Sequence, residues 1–196
     1  MKIKSTIGKI WRFLWHDDSF LSLIASMLVV FLLGRYILFP LIGLIVGTPY
    51  PVVAVLSDSM NHHQIDFETW WNKNQDFYQS YNIAKEQFQS FRLKNGFSKS
   101  DILLVKRFDP NKVKIGEILL FKSTYRPEPI VHRLIIKEQK NQEYSFTTKG
   151  DANQQILSFE KDLEANRIKG IVVAKIPYLG WPRIWMSNLI NKIKGL

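Results

Sequence analysis

Residues 20 to 40, FLSLIASMLVVFLLGRYILFP, constrain this chain more than any other feature, because so apolar a run has no stable place on the surface of a water-soluble domain. From Phe20 to Phe39, at about 1.5 Å per residue, a helix spans the roughly 30 Å hydrocarbon core of a bilayer, and Pro40 predicts its end. Arg35 lies about one turn from the exit, close enough to reach the headgroups by snorkelling. Lys2, Lys4, Lys9 and Arg12 precede the span, and after Arg35 no cation follows until Lys73. The positive-inside rule then predicts a cytosolic N-terminus and an extracytoplasmic remainder, a single-pass protein of the cell membrane. A removable signal peptide has a similar outline. Against it stand the long charged leader, apolar character continuing through Ile45 and Val46, and the lack of an A-x-A-like site after the first apolar block.

The 196 residues contain no cysteine, which excludes a disulfide framework, a thiolate nucleophile and Cys-ligated zinc. A nucleophile would have to be Ser, Thr or Lys. Lys and Arg number 27 against 17 Asp and Glu, a net charge of +10, and such a balance suits either nucleic acid or an anionic membrane surface. The cations are scattered along the chain, and no zinc-finger, basic-zipper or ribonucleoprotein pattern accompanies them, so nucleic acid is not an expected partner. With 46% apolar residues the chain can bury a real core.

The expected organisation follows from shifts in pattern. Residues 1–19 form a cytoplasmic segment, 20–40 the anchor, and 41–60 an apolar stretch in which YPVVAVLSDSM reads as a buried strand delivering Ser57, Asp58, Ser59 and Met60. Residues 61–97 read as a helical insertion. There Phe67, Trp70, Trp71, Phe77, Tyr78 and Tyr81 recur near a helical spacing, Asp66 is placed to cap the first helix, and Ile83 to Phe91 suggest a second. The aromatic stripe reads as a packing face, with a substrate or lipid contact as the alternative. Residues 98–180 turn to β: DILLVKRF, EILLFKS, IVHRLIIKE, EYSFTTKG and GIVVAKIP are separated by polar turn clusters, which predicts a mainly β catalytic domain. In the tail, 181–196, Trp185, Leu189 and Ile193 recur every four residues, the pattern of an interfacial amphipathic helix.

Ser59, where an apolar strand runs into a polar turn, is the candidate nucleophile, although a serine there is ordinarily a turn former. Among four histidines, His132 sits within IVHRLII, where partial desolvation favours the neutral imidazole that a general base requires. A core histidine is the plain alternative. Asp151, in TTKGDAN, offers a carboxylate at a tight turn. His62 and His63, with Asp66, could be read as a metal cluster, but no further ligands at a familiar spacing complete it, and neither metal nor cofactor is expected.

Taken in order, LSDSM, GEILLF, VHRLI, TKGDAN and IPYLG resemble the sequence boxes of type I signal peptidases. The likeness is to the archaeal and endoplasmic-reticulum branch, which carries histidine where the bacterial enzymes carry a lysine base. It implies a signal-peptidase-type β-domain and a serine endopeptidase that cleaves N-terminal signal peptides at the extracytoplasmic face. Its partners would be preproteins bearing signal peptides, the lipid bilayer and accessory membrane subunits. On this likeness Ser59 would be the nucleophile, His132 its base and Ser57 an oxyanion donor, while Asp151 matches the Gly-Asp box. Two places depart from the pattern. Asp58 stands where the family has glycine, and the family's second aspartate, about six residues beyond the Gly-Asp step, falls on Leu157, leaving Glu160 and Asp162 as the nearest substitutes. These departures favour the alternative of a non-catalytic, membrane-tethered binding module on the same fold.

Overall fold

The computed structural model describes residues 2–63, 65–123, 127–140, 143–177 and 179, with backbone alone for 2–5 and 140. The expected tail helix and the end of the IPYLG box lie outside the described residues. Two compact units result, Met1–Ile45 and Val46–Leu196.

The first unit holds α1 (Lys2–His16) and the apolar helix, which opens as α2 (Phe20–Leu33). Ser19 caps α2, its side chain accepting from the Ser22 N–H. The helix does not stop at Pro40: it passes through a π-helical turn, Gly34–Leu38, and continues as α3 (Phe39–Val46). Proline has no N–H to give to the carbonyl four residues back, and its ring crowds that carbonyl. The wider turn just before it, in which the Phe39 N–H reaches the Gly34 carbonyl, shifts the pairing so that the helix absorbs the proline. The continuous span Phe20–Val46 has 27 residues and is long and apolar enough to cross a membrane.

The second unit is a curled antiparallel β half-barrel. Its strands are β1 (Val52–Ala54), β2 (Ile102–Lys106), β3 (Ile118–Phe121), β4 (Ile130–Lys140), β5 (Glu143–Lys149), β6 (Leu163–Glu164) and β7 (Ile168–Ile176), in the order β1-β2-β7-β3-β4-β5-β6. All five expected β segments form strands. The stretch before Ser59 is shorter than its apolar run suggested: β1 has three residues, lies at the sheet edge, and is not fully buried, because its outer side lines a cleft.

Between β1 and β2 come α4 (Phe67–Ser80) and α5 (Lys85–Gln89), within the segment expected to be helical. Asp66 caps α4 by accepting from the Thr69 N–H at 2.9 Å. The aromatic stripe is a packing face: Trp70, Trp71, Tyr78 and Phe88 are buried together with Ile83 and with Ile135 of β4. Alternation along β4 decides what each of its residues meets. Ile135 joins the helical insertion and Arg133 lies over the Phe88 ring, whereas Leu134 enters a second core with Leu119, Phe121 and Phe146. His132, on Leu134's side of the strand, faces away from the insertion.

Phe88 is fully buried, with the rings of Phe67, Trp70, Trp71, Tyr78 and Phe91 around it. Truncating it leaves a cavity that these rings fill only in part. Phe88→Ala is expected to cost about 3–5 kcal/mol of stability, measured by chemical unfolding of the detergent-solubilised protein.

Candidate active site

The turn that carries Ser59 follows β1 and is held from several sides. Met60 is buried, its carbonyl accepts from the Phe97 N–H at 3.0 Å, and its Sδ accepts from the Asp151 N–H at 3.3 Å. The Ser59 carbonyl accepts from the Ala152 N–H at 2.8 Å. Ser59 is therefore fixed through its backbone while its hydroxyl remains partly accessible. Asp58 turns away from that hydroxyl: its Oδ1 accepts from the Lys99 N–H at 2.9 Å and from Asn61 Nδ2 at 3.2 Å. The carboxylate that stood out in the sequence thus braces the turn.

The serine and histidine, 73 positions apart, meet: Ser59 Oγ lies 2.9 Å from His132 Nε2. The other ring nitrogen, Nδ1, contacts the carboxylate of Glu160, which is wholly buried. That carboxylate also accepts, through Oε2, from the Leu157 N–H at 2.6 Å. Ser57 Oγ lies 3.2 Å from Ser59 Oγ. An imidazole with a hydroxyl on one nitrogen and a carboxylate on the other can accept the hydroxyl proton while the carboxylate orients the ring and stabilises the imidazolium.

The other carboxylates named from the sequence are placed differently. Asp162 is exposed and accepts from Ser145 Oγ at 3.2 Å. Asp151 does not bond His132. It is fully buried, with Oδ1 accepting from Arg133 Nε at 2.9 Å and Tyr78 Oη at 3.2 Å, and Oδ2 from Arg133 Nη2 at 2.6 Å and His62 Nε2 at 3.1 Å. Burial alone would raise the Asp151 carboxyl; the Arg133 guanidinium and the Arg133 and His62 hydrogen bonds outweigh it and hold the group well below the usual carboxylate range. Burial would lower Arg133, and Asp151 reverses that too. Burial, then the Asp151 charge, pushes the Tyr78 hydroxyl well up.

The structure thus brings Ser57, Ser59, His132 and Glu160 together, and builds Asp151 into a cluster beside them with Arg133, Tyr78 and His62. Those last three were not singled out as site residues, apart from His62 as a metal candidate. An arginine flanked by IVH and LII was the available signal, since a cation so placed needs a buried anion. His62 stacks on Trp70 at 3.9 Å, Asp66 caps α4, and the His63 N–H donates to Asn61 Oδ1 at 2.7 Å, so the three metal candidates serve separate local contacts.

Lys149 is a further buried cation. It lies 4.5 Å from the Phe77 ring centroid and 5.2 Å from that of Tyr78, and donates to the Gly150 carbonyl at 3.2 Å. Burial pulls its pKa down from 10.5 to about 8, only partly offset by Asp151 and Glu160. Between about pH 8 and 10.5 the unfolded chain then binds the proton that the folded chain has released, so stability rises with pH across that window. Unfolding titrations of wild type and Lys149→Met should diverge there, with wild type gaining as pH rises.

Gly150 packs closely against both the serine and the imidazole. A Cβ at this position would stand 2.7 Å from the Ser59 carbonyl oxygen and 2.9 Å from His132 Nε2. Gly150→Ala is therefore expected to push apart the serine and the imidazole. A loss of reactivity of Ser59 toward a fluorophosphonate probe, by about 10²-fold, is the expected result, with a loss of stability of about 1–3 kcal/mol from the overpacking.

A cleft of about 540 Å³ opens beside Ser59 and His132, lined by Val52, Val53, Ala54, Ile130, Val131 and Leu157 among others. Among the described residues β1 pairs on one side only, with β2, and Ile130 to His132 precede the first β4–β5 pair, Arg133 with Lys149. Two free backbone edges therefore flank the hydroxyl, an arrangement that suits an extended peptide.

No family model matches the chain. Among named proteins it is 29% identical over 177 residues to the signal peptidase complex catalytic subunit sec11 of Schizosaccharomyces pombe, covering 86% of this chain and 83% of that one. The corresponding subunit of Neurospora crassa is 27% identical over 168 residues, 79% and 78% of the two chains. Human SEC11C, also named a signal peptidase complex catalytic subunit, is 33% identical over 98 residues, or 47% of this chain, and the match spans about half (51%) of the human protein.

Proposed function

We propose, from the chain's homology to the catalytic subunits of signal peptidase complexes, that it is a membrane-anchored serine endopeptidase that removes N-terminal signal peptides from preproteins. The observation that carries the reading is the Ser59–His132–Glu160 alignment at the floor of a cleft with two free strand edges. An extended cleavage region lies along those edges with its scissile carbonyl over Ser59. His132 Nε2 takes the proton from Ser59 Oγ as the oxygen attacks the carbonyl carbon, and Glu160 accepts the Nδ1–H of the imidazolium that forms.

The tetrahedral oxyanion is held by the Ser57 hydroxyl and the Ser59 backbone N–H. As the intermediate collapses, the C–N bond breaks and His132 returns the proton to the leaving amine, which becomes the new N-terminus of the mature protein. Water, deprotonated by the same histidine, then hydrolyses the ester and frees Ser59. The apolar span Phe20–Val46 keeps the enzyme in the bilayer that its substrates' own apolar helices occupy, so enzyme and substrate meet within a surface instead of a volume. With the N-terminus in the cytosol, as the cation asymmetry implies, the cleft works at the extracytoplasmic face. Accessory membrane subunits are candidate partners, since the relatives are named as subunits of a complex.

The purified chain, incubated in detergent with a preprotein, should release a product whose new N-terminus lies just after the signal peptide. Ser59→Ala and His132→Ala should each lower kcat by about 10⁴-fold or more, and Ser57→Ala by about 10²–10³-fold. Glu160→Gln should cost far more activity than Asp162→Asn, which should be nearly silent. Full activity in Ser59→Ala or His132→Ala would sink the assignment; full activity in Glu160→Gln would reduce the site to a Ser-His dyad.

A further inference from the structure

We infer that α1 is an interfacial helix that docks on a bilayer surface rich in anionic headgroups, held there by a built elbow to the apolar span. At 100° per residue, Ile7, Ile10, Trp11 and Leu14 fall within an arc of about 100°, while Lys9, Arg12 and His16 fall on the opposite side. The apolar side is largely uncovered: Ile7 is 61% exposed, Trp11 60% and Ile10 53%. In water, such a face costs free energy without return; in the boundary between headgroups and acyl chains it is satisfied.

Charge selects the surface. The fifteen residues of α1 include Lys2, Lys4, Lys9 and Arg12 and no acid, and cations near a membrane favour anionic lipid. Trp11 and Trp15, with ring centroids 5.7 Å apart, add the amphipathic rings typical of the interface.

The elbow is specific. The last four carbonyls of a helix have no partner within it, and two of those of α1 are met from α2: Ser22 Oγ donates to the Phe13 carbonyl and Ser26 Oγ to the Leu14 carbonyl. Ser22 is the buried residue of α2. Between the helices the exposed Asp17 shapes the turn, its Oδ1 accepting from the Ser19 N–H at 2.8 Å. Ser26 stands six residues into α2, about 9 Å along the axis, so the C-terminal end of α1 is tied to the first two turns of the apolar helix. Interfacial helices seat their apolar face at about 5–10 Å into the boundary, and the 27-residue span exceeds a 30 Å core by about the length of those turns. The span and α1 thus share one level.

The lack of cysteine in the sequence allows a direct test on the 196-residue chain. Single cysteines at Ile7, Ile10 and Trp11, and at Lys9 and Arg12, would be spin-labelled and the protein reconstituted in vesicles of phosphatidylcholine with a quarter phosphatidylglycerol. The expected result is a ratio of oxygen to aqueous nickel accessibility at least about threefold higher on the apolar set than on the cationic set, with the apolar set's own ratio lowered in pure phosphatidylcholine and by Lys9→Glu with Arg12→Glu. Three results would overturn the inference: equal water access for both sets; equal depth in neutral and anionic vesicles; or an apolar set shielded from both reagents, which would mean that protein, a second copy included, covers the face.

Discussion

The buried contact between Asp151 and Arg133 is the constraint on which the β-domain's site rests. The guanidinium has five N–H donors and all are engaged: two on Asp151, the others on the carbonyls of Arg92, Gly116 and Leu93. The carboxylate collects Arg133, Tyr78 and His62. Such a pair is weak evidence of net stabilisation, because desolvating both charges offsets much of the attraction, yet an isolated partner would be strongly unfavourable. Its effect is positional. One end belongs to β4 and is the neighbour of His132; the other follows Gly150 and carries the N–H that meets Met60 Sδ. Whatever fixes this pair also fixes the distance between serine and imidazole.

The helical insertion is coupled to that centre. Tyr78 and Phe88 belong to its aromatic core and touch Asp151 and Arg133 directly, and Arg92 and Leu93 lend backbone carbonyls to the guanidinium. His62 stacks on Trp70 while its Nε2 meets Asp151. A segment that interrupts the β pattern in sequence therefore provides part of the shell that holds the site. The alternation of β4 makes this workable, since the strand shows Arg133 and Ile135 to the insertion and His132 to the cleft.

Much of this was legible in the chain because its signals are local. Five runs of branched and aromatic residues became five strands, Asp66 became a helix cap, and the aromatic spacing marked a face that packs. What failed depended on partners distant in sequence or on backbone that adapts. Pro40 is an ordinary helix stop, but the π-turn before it takes up the strain, and no residue type announces such a turn in advance. The apolar run before Ser59 suggested burial on both sides, whereas one side of β1 is a cleft wall. The periodicity of α1 was present in Ile7, Ile10, Trp11 and Leu14, masked by the charges that marked the segment as a leader.

The acid beside the imidazole shows how a position can shift while a contact persists. At Leu157, where the resemblance called for aspartate, no carboxylate is available, but the backbone there leads into a short 3₁₀ turn, Ser158–Glu160. That turn carries Glu160 back beneath His132. A glutamate has one more rotatable bond than an aspartate and loses more side-chain freedom when fixed. The second carboxylate oxygen offsets this by accepting from the N–H of Leu157 itself, so the residue that lacks the acid supplies the donor that orients its replacement. Complete burial excludes water from competing for either oxygen. A fixed spacing in sequence misses such a site, because what the imidazole requires is an oxygen held at Nδ1, and backbone and side-chain length can be traded to put it there.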